Sequence, residues 1–255
     1  MIQNTPVKNT LFTVSFPSGH KATAVCVGPG ADPIWITEKF GFFQPQPAIF
    51  ISGGASFMTP EDQKITEAMM ENVAQFANER KAIIITGGTE AGVMKTIGDT
   101  RRKYGYQFPL VGVAPLGKVD YPGYINPNKE ATLEDDHTHF VLVDAPEWGD
   151  ESELIVRLTH TVARQVMPEV GILVNGGKIA ANEVYLATTK DLKLPMIVLE
   201  GSGRFADELA TAVRTGKTNQ RILQAILSGG DIKLVATVEG PNKLREKLVE
   251  RFDKK

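Results

Sequence analysis

Glycine pairs that close short apolar runs are the residues in this chain best suited to chemistry. They stand at Ile49-Phe-Ile-Ser-Gly53-Gly54, at Ala82 to Ile85 followed by Thr86-Gly87-Gly88, at Ile172-Leu-Val-Asn-Gly176-Gly177 and at Ile197-Val-Leu-Glu-Gly201-Ser202-Gly203. Glycine has no Cβ, so its backbone takes positive φ readily and an anion can approach the N–H groups closely. A helix that starts at such a turn adds unpaired N–H groups and the positive end of its dipole. The chemistry implied is capture of a phosphate-bearing small molecule. Thr86, Thr89 and Glu90 add polar groups at the second of these turns. Arg204 also sits at an expected helix start, where a cation is locally unfavourable, so it asks for an anionic partner: Asp207, Glu200 or a ligand phosphate. Arg157 lies within two turns of another helix start, close enough to reach a bound phosphate.

The elements that position these residues follow from apolar patterning. Unbroken apolar runs that end in glycine turns and lead into amphipathic stretches are buried parallel strands feeding helices. In an open parallel sheet, ligands bind beyond the carboxyl ends of the strands, so the four turns should converge on one cleft. The expected fold is α/β: a three-layer, Rossmann-like arrangement with a mostly parallel central sheet flanked by helices. Residues 11–27 predict an N-terminal hairpin on the sheet edge, and Pro33 to Pro47 a short helix. Thr59-Pro60-Glu61-Asp62 starts a helix with a capping threonine and an early proline. Further helices are expected from Thr89 to Tyr104, from Trp148-Gly-Asp-Glu-Ser152 to Met167, from Lys178 to Thr189 and from Asn242 to the chain end. Lys118 to Asp136 shows no apolar period and reads as a long loop covering or flanking the cleft. His137 and His139 fall on one strand face by the period of two. A hydrogen-bonded pair orienting the loop is favoured there over a metal site, because a third ligand would have to come from elsewhere, with Asp135, Asp136 and Asp144 only candidates.

Composition sets outer limits. A chain of 255 residues, 42% of them hydrophobic, suits a single α/β domain. A net charge of −2 gives no broad basic field, which disfavours nucleic acid. Cys26 is the only cysteine, so a disulfide within the chain and a cysteine-based zinc site are both excluded, and a reducing cytosol is the simpler setting. No apolar run approaches the ~20 residues of a membrane-spanning helix. Met1-Ile-Gln-Asn-Thr-Pro lacks the features of a signal peptide. A cytoplasmic protein without membrane insertion is expected.

Two of the junctions resemble the paired signatures of the SLOG superfamily of Rossmann-like domains: Gly87-Gly-Thr-Glu-Ala-Gly92-Val93-Met94 and Asn175-Gly-Gly-Lys-Ile-Ala-Ala-Asn-Glu183. The chain is similar above all to the cytosolic N-terminal region of melastatin-type TRP channels and its prokaryotic relatives. That similarity is carried by Ile51-Ser-Gly-Gly-Ala-Ser-Phe57, Ile85 to Lys95, Val113-Ala-Pro-Leu-Gly117, His137 to Asp144 and Glu200-Gly-Ser-Gly-Arg-Phe-Ala-Asp207. The resemblance implies a sensing domain for a nucleotide-derived ligand such as ADP-ribose, with no cofactor required. It puts Gly53, Gly54, Gly87, Gly88, Gly92, Val93, Met94, Asn175, Gly176, Gly177, Gly201, Ser202, Gly203 and Arg204 in the binding site. It also places Trp148 where an aromatic would stack on a base. Members are often dimers, so a homo-oligomer, dimer or higher, is expected, with an effector protein as listener.

More distantly, the second signature resembles that of LOG-type phosphoribohydrolases, which implies an alternative: a nucleotide N-glycosidase with Glu183 as its catalytic carboxylate. Asn175, Ile179 and Ala180 depart from that family's phosphate turn, and the sensor reading is preferred.

Overall fold

The computed structural model describes residues 5–54, 58–189 and 192–253. The Ala55-Ser56-Phe57 end of one resembling block therefore lies outside the described residues. Strands β1 (Leu11–Ser15) and β2 (Lys21–Val27) form the expected hairpin, and α1 (Pro33–Lys39) follows. Next come β3 (Ala48–Gly53), α2 (Pro60–Arg80), β4 (Ile83–Thr86), α3 (Gly92–Tyr104) and β5 (Leu110–Pro115). Two short strands, β6 (Val119–Asp120) and β7 (Ala131–Thr132), precede β8 (His139–Val143) and α4 (Ser152–Ala163). The chain then alternates through β9 (Glu169–Val174), α5 (Lys178–Thr188), β10 (Met196–Glu200), α6 (Arg204–Thr215), α7 (Arg221–Gly229), β11 (Ile232–Ala236) and α8 (Gly240–Phe252).

Nine strands make one sheet in the order β1-β2-β8-β5-β4-β3-β9-β10-β11, parallel throughout except for the β1–β2 hairpin at one edge. The inner strands are apolar on both faces, as a sheet covered by helices on each side requires: β3, β4, β5 and β9 are almost wholly buried. On one face α1 and α4 to α7 pack over Phe50, Ile83, Val111 and Val198; on the other, α2, α3 and α8 cover Ile49, Ile84, Ile172 and Leu199. The result is the three-layer α/β architecture anticipated above.

Local signals set several boundaries as expected. Thr59 caps α2, accepting the Asp62 N–H at 3.1 Å, with Pro60 in the first turn. Others differ, each for a non-local reason. Helix α3 begins at Gly92 rather than Thr89, because Thr89 bridges to Leu133 and the Glu90 N–H donates to Thr132 O at 2.8 Å. Helix α4 stops at Ala163, not Met167: Arg164 and Gln165 turn to φ 49° and 58° without a glycine to announce it. Glu151 precedes that helix with no side-chain cap.

The segment 118–136 is not the open loop its aperiodic sequence suggests. Strands β6 and β7 pair, and Val119, Tyr121, Tyr124 and Leu133 are buried with Phe140 and the hairpin residues Val14 and Phe16. His137 and His139 do not act as a pair. His137 is buried beside Phe140, held between Glu134 and Thr86, whereas the His139 ring lies 4.7 Å from Phe40 and 5.0 Å from Phe42. Burial pushes the His139 imidazole down to about 4, so it stays neutral near pH 7.

Candidate functional site

Strand order reverses between β3 and β9. From β3 the chain builds outward through β4, β5 and β8; from β9 it builds the other way through β10 and β11. At such a switch point the connections diverge and leave a crevice beyond the strand ends. A cavity of about 820 Å³ opens there, lined from both sides by Gly53, Gly54, Gly87, Gly176 and Gly177. The β3, β4 and β9 turns thus share one rim of the sheet.

The glycines do not all serve the cavity in the same way. Gly53 has φ 114°, and a Cβ there would stand 1.8 Å from Val174 O, so the close approach of β3 to β9 requires it. Gly88 is needed by the sheet: a Cβ would stand 2.6 Å from Gly112 Cα, and its N–H is already spent on Thr86 Oγ1 at 3.0 Å. Gly54, by contrast, has open space where its Cβ would be.

Helices α3, α4, α5 and α6 begin around the cavity, at Gly92, beside Glu151, at Lys178 and at Arg204. Four N-terminal ends turn the positive ends of their dipoles toward the hollow, which favours an anion, although α6 spends its Phe205 and Ala206 N–H groups on Gly176 O and Asn175 O. Arg204 has the left-handed φ of 47° and lays its guanidinium against Gly177, where a Cβ would stand 2.5 Å from Nη2. Of the acids weighed as its partner, Glu200 takes the Arg214 Nε–H at 2.7 Å and Asp207 accepts the Gly201 N–H at 2.6 Å. Trp148 contributes a half-buried wall, its indole N–H donating to Glu130 Oε2 at 2.8 Å. Through Glu130 the 118–136 segment does flank the cavity.

Two carboxyls lie on the lining. Glu183, 6% exposed, accepts the Ser52 hydroxyl at 2.5 Å; burial, helped by nearby Glu151 and opposed by Ser52, pushes it up to about 8. Glu151 accepts the Gly149 N–H at 2.8 Å and is also raised, chiefly by burial. Near pH 7 Glu183 therefore holds its proton and can donate as well as accept.

Among the residues expected from sequence, Thr89, Gly92, Met94, Trp148, Glu183 and Arg204 join the glycines on the lining. Thr86, Gly88, Val93, Arg157, Asn175, Gly201, Ser202 and Gly203 lie outside it. Arg157 is exposed, and Val93 packs into the core. Ser202 supports from behind: its hydroxyl accepts the Asn175 N–H at 2.7 Å and donates to Leu199 O at 2.6 Å. Asn175 sits at φ 54°, a left-handed value closed to proline. Glu151 and Lys178 line the cavity without having been expected there, as do Ile179 and Ala180, noted above only as departures from a phosphate turn. Glu151 read as a helix-start acid, and only its burial distinguishes it.

Comparison with known proteins agrees with this architecture. Residues 46–245 match the profile of the family described as SLOG in TRPM, prokaryote. The chain is 31% identical over 195 residues to transient receptor potential cation channel subfamily M member 6 of Homo sapiens, covering 65% of this chain and 10% of that protein. It is 26% identical over 210 residues to subfamily M member 2 of Mus musculus (69% and 14%) and 26% identical over 234 residues to the trpm channel of Drosophila melanogaster (80% and 11%). The chain thus spans only 10 to 14% of the length of these relatives. Among the described residues, no helix is long and apolar enough to cross a membrane. With four-fifths of its length inside the matched region and a doubly wound sheet to carry it, the chain belongs to the SLOG family of TRPM-type domains.

Proposed function

We propose that this chain is a non-catalytic, cytoplasmic binding domain that senses a nucleotide-derived small molecule of the ADP-ribose type in the switch-point cavity. The observation that carries this is the convergence of four helix N-termini with Arg204 on a hollow that Trp148 walls. Its volume lies within the ~300–1,000 Å³ usual for small-molecule sites. Diphosphate oxygens would meet the helix ends and Arg204, a base would stack on Trp148, and ribose hydroxyls would bond to Glu183 and Glu151. No cofactor enters this scheme. Binding would be relayed to an effector protein or through a change in self-assembly.

Glu183 favours one second reading, an N-glycosidase. A buried carboxyl that holds its proton near neutrality is suited to general acid catalysis. Against it stand the left-handed Asn175 and the apolar Ile179 and Ala180 where a phosphate turn would need proline, glycine and threonine.

Thermal unfolding of the purified chain with ADP-ribose, AMP, NAD and cyclic dinucleotides tests both readings. A ligand at a hundred times its dissociation constant adds about 2.7 kcal/mol. Chromatography of the same mixtures should return the stabilising ligand intact. Free base released only when Glu183 is present would decide for the enzyme, and no stabilisation by any of them would reject the sensor.

A further inference from the structure

A second constellation stands outside the cavity. One carboxylate oxygen from each of Asp99, Glu134 and Asp136 lies within 4.8 Å of the other two. Glu134 is fully buried; its Oε2 accepts the Asp136 N–H at 3.1 Å and faces His137 Nδ1 at 2.6 Å. Its Oε1, equally buried, has no hydrogen-bond partner among the described residues. A buried carboxylate oxygen left without a donor is costly. Gly98 makes room for this carboxyl against α3, since a Cβ there would stand 2.5 Å from Glu134 Oε1.

The surrounding cations only partly answer that charge. Arg102 reaches Asp136 Oδ2 at 3.2 Å and Asp99 at 3.0 Å, and Lys95 reaches Asp99 at 3.2 Å. Both of these side chains are about half exposed and can turn to water. Arg101 donates to carbonyls instead, Phe108 O at 2.9 Å and Asp136 O at 3.5 Å.

We propose that Asp99, Glu134 and Asp136 bind a hard divalent cation, with calcium the best fit to a set of three protein carboxylates. Calcium accepts several protein carboxylates in an irregular shell, whereas magnesium demands near-ideal octahedral geometry and usually keeps its waters around one or two carboxylates. The ion would take up Glu134 Oε1 and replace Lys95 and Arg102 on Asp99. It would also stiffen the second glycine turn. The Glu134 N–H donates to Gly88 O at 3.0 Å, and His137 Nε2 contacts Thr86 Oγ1 at 3.0 Å, the atom that accepts the Gly88 N–H. The assignment does not rest on the nucleotide reading, because none of the three ligands lines the cavity.

The test is thermal unfolding of the chelator-treated full chain titrated with calcium chloride, with magnesium chloride alongside and ionic strength held constant. Calcium at a hundred times its dissociation constant should raise the melting temperature by roughly 5–10 °C. Asp136→Asn and Asp99→Asn should each weaken the response at least tenfold. Should Asp136→Asn fail to fold, the Asp99→Asn titration decides, since that side chain is half exposed. No calcium response, or an unchanged midpoint in Asp99→Asn, overturns the site; an equal magnesium response at equal concentration overturns its assignment to calcium.

Discussion

Ser52, at the end of β3, donates a 2.5 Å hydrogen bond to Glu183 Oε2 on α5, and both side chains are buried at the edge of the cavity. The bond links the two halves of the sheet at their point of divergence and holds a carboxyl whose proton affinity burial has raised to about 8.

Stability should therefore fall as pH rises. Below the unfolded value of ~4.3, both states carry the Glu183 proton and its contribution is fully present. Above it the unfolded chain releases the proton while the folded chain keeps it, so stability is progressively lost up to about pH 8. Urea denaturation across this window should show a steeper decline in the wild type than in Glu183→Gln, by up to about 1.4 kcal/mol per pH unit. Glu151, raised in the same direction chiefly by burial, titrates in both proteins, so the difference between the two curves reports Glu183 and its interaction with Glu151. Parallel curves would mean that Glu183 is ionised in the folded state.

Arg204→Ala isolates the guanidinium. Both residues carry a Cβ and bear the same backbone penalty at φ 47°, so the backbone cost cancels in the comparison. ADP-ribose affinity should drop by about 1.5–3 kcal/mol, the range for a hydrogen bond to a charged group. Calorimetry that finds unchanged affinity would take Arg204 out of the site.

Trp148 offers a graded series. Trp148→Phe keeps a ring to stack on a base but loses the indole N–H to Glu130; Trp148→Ala loses both. Nucleotide affinity should fall by about 1–3 kcal/mol for alanine and much less for phenylalanine. Equal losses in the two variants would assign the effect to the Glu130 contact instead.

Gly53 and Gly54 are adjacent and should behave oppositely. Gly53→Ala drives a methyl into Val174 O at φ 114° and should cost at least about 3 kcal/mol, which denaturant titration will read. Gly54→Ala meets nothing and should leave stability within about 1 kcal/mol. A stable Gly53→Ala protein would refute the close approach of β3 to β9.

The layered fold was legible in the sequence wherever the information is local. Thr59-Pro60 announces α2, and the apolar runs ending at Thr86 and Asn175 announce parallel strands. What escaped depends on distant partners. The late start of α3 comes from pairing of Thr89 and Glu90 with residues 132–133. The buried tyrosines of 118–136 follow no period because they fill a space between a hairpin and a strand rather than one face of an element. The site showed the same division. The glycine turns were visible as turns, but whether each faces a ligand or a neighbouring strand depends on what stands opposite. Gly88 faces Gly112, while Gly54 faces open space.

The pairing of Gly53 with Val174 joins segments separated by nearly half the chain. Neither half alone encloses the cavity; each forms only one bank of it. Contacts this remote in sequence are slow to form, so a refolding chain should regain its helical signal well before it regains affinity for any small molecule. Recovery of binding would then mark the moment the two banks meet.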